Sequence, residues 1–504
     1  MNNLSNLREI AATNDWAAIL PELSLGVIAL LLLALEVLAP KLKGRIPAIA
    51  IGLQILVLLG VAWQYCTTDV IPTRTLFAGF ITQTGTTELM RLFFLFSGIV
   101  VSHLGIVYLK RNPLAKVEFF HLVLVVTGSF MLLVQSSHFA MLFVALETLT
   151  IGFYILVAYG RHSSFSLEAG LKYLVMGALS SGIMLFGIVL LYGAGSNPNL
   201  AMASADPLQF ANLAAFIGGS TGDLVHAQSL LVLVGAGLVL AGVAFKIGLV
   251  PFQIWIPDVY MGAPTPTTAF LAVASKAGGV FVLLALVTGP FAELKQLTVP
   301  LLTVMTGATI LFGNIAALPQ RNVKRVMGLS GVAHAGILML GVLSAIESPA
   351  VIPVILFYLF VYALASFGVF EVMAHVGPDA DADQDVDYYS ELMKKQPALG
   401  AVLAIGLGSL AGIPPLAGFV AKLLIFYAAM QAELYVLLGL AIFGVVLSIY
   451  YYFAWLRAAL VKGLFLDEPC PEPRAPSLGT QAVIYSVSAL SVILGLFQGF
   501  LNLG

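Results

Sequence analysis

Charge is what this sequence has least of. Its 504 residues include 23 lysines and arginines and 25 aspartates and glutamates, 10% of the chain, where a soluble protein carries roughly 25%. So few charges cannot coat the surface of a set of water-soluble domains. The net charge of −2 offers nucleic acid no basic field. Cysteine is nearly absent: Cys66 and Cys470 lie far apart in connecting segments, too few for an iron–sulfur cluster or a structural zinc site, and both are expected to be free thiols. Met1 to Trp16 is polar, with Arg8, Glu9 and Asp15. It lacks the basic region and small-residue cleavage site of a signal peptide, so the first apolar run is expected to direct insertion itself.

What fills the chain instead is apolar residues, 60% of it. At about 20 residues per crossing this supplies roughly fourteen or fifteen spans. Apolar runs place helices near 18–39, 46–65, 86–109, 117–135, 139–159, 167–193, 229–256, 264–288, 297–318, 324–345, 350–374, 397–430, 433–459 and 478–502. These runs lack the ~10-residue alternation of a membrane barrel. The expected fold is an all-α polytopic membrane protein of fourteen spans, numbered here first to fourteenth.

Basic residues orient it. The connections from odd to even spans hold Lys41, Lys43, Arg45, Lys110, Arg111, Lys116, Arg161, Arg321, Lys324, Arg325, Lys394, Lys395, Arg457, Lys462 and Arg474; the other side holds Arg8, Arg74, Arg91 and Lys295. Fifteen against four puts the first set in the cytoplasm and both termini outside it.

The remaining four cations, Lys172, Lys246, Lys276 and Lys422, fall inside apolar runs, as does Glu147. A charge at the centre of a span costs ~2.5–3.5 kcal/mol on the insertion scale. Five would cost roughly 12–18 kcal/mol, against a typical net stability of ~5–15 kcal/mol. Such residues mark ion or proton pathways. Lys172, early in its helix, has the alternative of sending its ammonium to the interface.

Two spans are interrupted by proline, which removes a backbone donor and clashes with the preceding turn. The seventh runs into Val250-Pro251-Phe252 just after Lys246. The twelfth contains Gly412-Ile413-Pro414-Pro415, with Lys422 shortly after. Broken helices in matching positions point to repeats around a mid-membrane ion site. A shift of five spans inverts topology, so the expected organisation is helices one to three in 1–116, inverted repeats of five spans in 117–288 and 289–460, and a loop plus the last span in 461–504.

Other signals are weaker. Asp379 to Asp387 alternates acidic residues, but Gln384 stands where a calcium loop needs glycine and Ser390 where it needs glutamate; a solvated acidic loop is the expectation. Gly406, Gly408 and Ala411 imitate a dinucleotide fingerprint without a preceding strand. Haem would need facing histidine pairs; His103 and His121 offer one at most. His334, inside the tenth run, reads as a proton relay or as a packed, hydrogen-bonded histidine.

Several segments resemble a known family. Leu167-Glu168-Ala169-Gly170-Leu171-Lys172-Tyr173-Leu174, continuing through Gly177-Ala178-Leu179-Ser180-Ser181-Gly182, is similar to the sixth-helix signature of the antiporter-like subunits of complex I. Phe245 to Tyr260, then Gly262-Ala263-Pro264-Thr265-Pro266, is more specific, and Ala274-Ser275-Lys276 and Ala411-Gly412-Ile413-Pro414-Pro415 with Gly418, Phe419 and Lys422 extend the likeness over essentially the whole chain. Among these subunits it most resembles the N type of bacterial NADH-quinone oxidoreductase. One departure is Gln253, where that family usually has histidine.

The resemblance implies a proton-translocating subunit of a translocase in a bacterial inner membrane, with both termini on the periplasmic side. Glu147, Lys246, Lys276 and Lys422 would carry the proton pathway, with Lys172 and His334 secondary and Pro251, Pro414 and Pro415 at the helix breaks. No cofactor is implied on this chain: flavin mononucleotide, iron–sulfur clusters and the NADH and quinone chemistry belong to other subunits. The implied partners are those membrane subunits, lipid and protons. The competing expectation is a stand-alone cation/proton antiporter subunit or other secondary transporter. Lysine disfavours metal-cation transport, since an ammonium has no lone pair to offer as a ligand.

Overall fold

A computed structural model describes residues 11–68, 71–112, 114, 117–196, 206–219, 226–378, 380–461 and 476–496. Thirteen described helices are long and apolar enough to cross a membrane. They occupy the expected first to eleventh, thirteenth and fourteenth positions. The twelfth is two shorter apolar helices, Pro397–Ala411 and Ala417–Gln431. Strand is confined, among the described residues, to a hairpin of Arg74–Leu76 and Ile81–Gln83 between the second and third spans. Cys66 is free and exposed; Cys470 lies outside the described residues.

The spans are sorted by what covers them. The tenth, Val323–Glu347, is buried over nearly all its length, as is the eighth, Thr265–Thr288, whereas the first, second and thirteenth turn most of their length outward. Outward residues such as Leu30, Leu56, Trp63, Leu179 and Val446 are apolar, as contact with hydrocarbon requires. Lys276 and His334 lie buried on the eighth and tenth spans.

Both expected breaks are present and share a backbone design. The seventh span, His226–Ile247, ends at Gly248 (φ +82°), whose N–H bonds to Ala244 and Phe245 oxygens while the Leu249 N–H reaches back to Ala244. The first half of the twelfth ends at Gly412 (φ +82°), whose N–H bonds to Gly408 and Ser409 oxygens while the Ile413 N–H reaches back to Gly408. Each atom in one cap has its counterpart 164 residues later. A positive φ is the usual glycine-dependent way to stop a helix. After the first break the chain runs through Val250-Pro251 to a short helix, Ile256–Gly262, so the seventh helix stops well before the expected residue 256; after the second it resumes at Ala417.

Arg91 and Lys324, counted above with the connections, are buried in spans, and the acidic loop is docked. Arg91 is fully buried in the third span, Gly85–Arg111. It donates to both Glu22 carboxylate oxygens (2.7 and 2.8 Å) and to Glu88 (2.7 Å), and Gln135 completes Glu22 (2.7 Å). Lys324 is buried in the first turn of the tenth span and donates to Asp381 (2.9 Å), which also accepts from the Thr265 hydroxyl (2.6 Å). Arg321 bonds Asp385 (3.0 Å) and Asp387 (2.8 Å); hydrogen bonding to Asp385 pushes its guanidinium further above its ordinary pKa. The acidic loop is therefore docked rather than solvated, because buried and half-buried cations await its carboxylates. Asp379 lies outside the described residues.

Candidate functional site: a line of buried lysines

Lys246, Lys276 and Lys422 are 5%, 2% and 4% exposed, so each ammonium depends on the protein for its hydrogen bonds. Lys246 occupies the last turn of the seventh helix, where C-terminal carbonyls favour a cation, and donates to the Thr150 hydroxyl at 2.7 Å. Glu147 lies one turn before Thr150 on the fifth span, Phe139–Val157. Half-buried, it accepts a short hydrogen bond from Ser181 on the sixth span, Ser164–Gly195. Glu147 is near enough to act on Lys246 electrostatically, but no direct ion pair joins them among the described contacts. Each charge is held by a hydroxyl of its own.

A cavity of about 10 Å³, room for one water, lies beside Lys246 and is lined by Leu146, Ser275, Gly279 and Val282. Ser275 immediately precedes Lys276, so the space joins the surroundings of the two lysines. A π-turn at Leu271–Ser275 ends just before Lys276. Such a turn takes up an extra residue and re-aims the side chains beyond it. Lys276 donates to the Gly331 carbonyl on the tenth span at 2.6 Å. A Cβ on Gly331 would come within 3.3 Å of the Lys276 ammonium, so glycine there leaves the carbonyl accessible.

One turn further along the tenth span, His334 is held between the hydroxyls of Tyr358 (2.8 Å) and Tyr452 (3.3 Å). Both Lys276 and Lys422 act electrostatically on its ring. A second cavity of about 10 Å³ is bordered by His334, Tyr358, Tyr362 and Lys422. Lys422 reaches back across the twelfth-span break to the carbonyls of Leu410 (2.7 Å) and Ala411 (3.0 Å), which the interrupted helix leaves free. At Gly412 a Cβ would meet the Lys422 side chain at 2.9 Å, in addition to the strain of its positive φ.

The line thus runs from Glu147 and Lys246 through Lys276 and His334 to Lys422, on the fifth, seventh, eighth, tenth and twelfth spans. Lys172 stands apart. Its side chain is 43% exposed and pairs with Glu168 and Asp258, each at 2.7 Å, and it makes no described contact with Glu147. Gln253 is buried within the first break, its Oε1 without a hydrogen bond among the described residues. Buried Arg91, although counted above with the connections, and Glu371 both lie within expected apolar runs and meet the criterion that singled out Glu147, but the sequence gives no sign of their partners. No group of three or more His, Cys, Asp or Glu side chains is arranged for a metal among the described residues.

Residues 136–448 match the family described as NADH:quinone oxidoreductase/Mrp antiporter, TM. The chain is 50% identical over 502 residues to NADH-quinone oxidoreductase subunit N 1 of Opitutus terrae, covering 99% of this chain and 98% of that one. It is 32% identical to NADH-quinone oxidoreductase subunit N of Paramagnetospirillum magneticum, covering 95% and 94%. A chain of respiratory complex I from Thermus thermophilus with bound aureothin is similar with a TM-score of 0.76 at 28% identity, covering 96% of this chain and 98% of that chain. A chain of the Mrp complex from Dietzia shares the fold with a TM-score of 0.78 at 20% identity, over 97% and 96%. By sequence along its whole length and by fold, this chain belongs to the NADH-quinone oxidoreductase subunit N family.

Proposed function

We propose that the chain translocates protons as a membrane subunit of NADH-quinone oxidoreductase, while NADH oxidation and quinone reduction take place on other subunits that hold the flavin and iron–sulfur clusters. One observation carries the reading: three buried lysines and a histidine lie in sequence between two helix breaks, with a water-sized cavity near each end of the row. Lysine and histidine can each take and release a proton, which a channel for metal cations does not require.

The switch is Glu147 against Lys246. In a dry interior, desolvation disfavours a charged ammonium and a carboxylate within reach favours it. With Glu147 turned toward it, Lys246 keeps its proton; with Glu147 held by Ser181, Thr150 is the ammonium's partner and the proton can pass toward Lys276. The proton then moves by way of His334 to Lys422. Lys422 exchanges with the periplasmic side, where the broken twelfth helix exposes carbonyls that hold either ammonium or water. The inverted five-span repeats in 117–288 and 289–460 would supply the two halves of this path, and the identical cap hydrogen bonding 164 residues apart supports that division. Both termini would lie in the periplasm.

The test is the assembled complex in sealed vesicles, with proton uptake and NADH oxidation followed together. Lys246→Ala and Glu147→Gln should each lower proton translocation by about 10²-fold, the scale of losing a positioned proton carrier, with coupled electron transfer falling alongside. Wild-type pumping by an assembled Lys246→Ala complex would show that the lysine is structural.

A further inference from the structure

Outside the lysine line, a second set of polar side chains enters the membrane region from the surface. Ser477 is exposed at the start of the fourteenth span, Leu478–Leu496. Its hydroxyl lies 3.0 Å from that of buried Thr480. Thr480 Oγ1 is 3.4 Å from Nε2 of His103 on the third span. The other ring nitrogen, Nδ1, is 2.9 Å from Oε1 of Glu371 on the eleventh span, Ile352–Val376. Glu371 is 0% exposed, and its Oε2 makes no hydrogen bond among the described residues.

The ends of these helices lie together. Arg111, last residue of the third span, donates to the carbonyls of Ala374 (2.9 Å), His375 (3.4 Å) and Gly377 at the end of the eleventh. The connections here are those that the basic residues assign to the cytoplasm. Every member of the chain from Ser477 to Glu371 can both accept and pass on a proton, and each step is within or near hydrogen-bond length. A carboxylate kept only to tie three helices together would be expected to have both oxygens satisfied, because a buried acceptor left open costs about 1–3 kcal/mol.

We infer that Ser477, Thr480, His103 and Glu371 form a proton wire that loads Glu371 from the cytoplasmic surface. Each hydroxyl passes its own hydrogen inward and takes one from behind. The imidazole accepts at Nε2 and releases from Nδ1, and Glu371 ends as a neutral carboxyl group; one proton enters, one is stored, and no electrons move. The proton arrives on Oε1, and rotation of the neutral carboxyl group about its Cγ–Cδ bond turns that O–H inward, into the place of the oxygen that no described hydrogen bond holds. This intake rests on the proton-translocating reading above and adds a loading site to the half of the chain that holds Lys422.

The experiment uses the assembled complex in sealed vesicles. Thr480→Val keeps the packing shape and removes the hydroxyl; Thr480→Ser keeps the hydroxyl. Thr480→Val and Glu371→Gln should each slow proton uptake by about tenfold or more, while Thr480→Ser and Glu371→Asp stay within about twofold of wild type. A structural tie predicts the reverse ranking, since valine fills the site and glutamine still bonds His103. If Glu371→Gln fails to assemble, the Thr480 pair decides alone. Wild-type pumping by assembled Thr480→Val overturns the wire. Lys422→Ala runs in parallel: loss of pumping there with normal Thr480→Val pumping sinks only the wire, whereas normal pumping in both sinks the translocation reading as well.

Discussion

The two helix breaks have the same backbone and different occupants. At the first, the Phe245 carbonyl in the last turn is taken by the indole N–H of Trp255 at 3.3 Å, and Lys246 turns away to Thr150. At the second, the freed carbonyls of Leu410 and Ala411 are taken by Lys422 itself. In the shared register the counterpart of Lys422 is Asp258, which pairs with Lys172 and Arg325 (2.7 and 3.2 Å); Lys246 corresponds to apolar Leu410. A neutral donor seals one break and an ammonium occupies the other. The shared cap geometry sets where a charge can be held, and the side chains decide whether that place holds one.

The largest effect that would sharpen this contrast comes from arginine. Guanidinium does not deprotonate in proteins, so Lys422→Arg should keep the carbonyl contacts and assembly yet lose proton translocation by about 10²-fold, measured as uptake into vesicles. Rescue by arginine would mean that Lys422 only caps a helix.

A smaller effect is expected from the turn. Gly412→Val forces a β-branched residue into φ +82° against Lys422 and should destabilise the subunit by about 1–3 kcal/mol. Thermal unfolding of the detergent-solubilised complex, compared with Gly439→Ala, where a Cβ meets open space, reads this out. Equal stability of the two variants would remove the claim that the cap geometry is specified by glycine.

The smallest belongs to the indole. Trp255→Phe removes one neutral hydrogen bond, a loss of about 1 kcal/mol, and pumping should persist. If Trp255→Phe abolished pumping while leaving assembly intact, the first break would no longer be the passive member of the pair.

The spans were legible in the sequence because hydrocarbon demands continuous apolar runs, and the breaks because proline cannot continue a helix. The excursion from Gly248 to Gly262 was less so: its residues are as apolar as the helix before it, and only the glycine ahead of Val250-Pro251 marks the stop. Lys246, Lys276 and Lys422 were legible as charges out of place. Their partners were not, since Thr150, Gly331 and Leu410 are ordinary residues until the fold brings them close. Ser181 and Thr150, the separate holders of Glu147 and Lys246, were equally hidden. Arg91 and Lys324 looked like loop residues because both stand near the edge of an apolar run, where a shift of a few residues changes the assignment. The His103–Glu371 contact joins residues 268 apart and leaves no local trace.

The buried cluster of Arg91 with Glu22 and Glu88 also bears on biogenesis. Glu22 emerges from the ribosome well before Arg91, and a lone carboxylate within a span is expensive to place in lipid, as is the arginine that follows it. Neither helix reaches its final environment cheaply without the other. The first and third spans are therefore best transferred laterally as one unit, with the second carried between them, and an insertion intermediate holding only the first span should keep Glu22 at the water interface until Arg91 arrives.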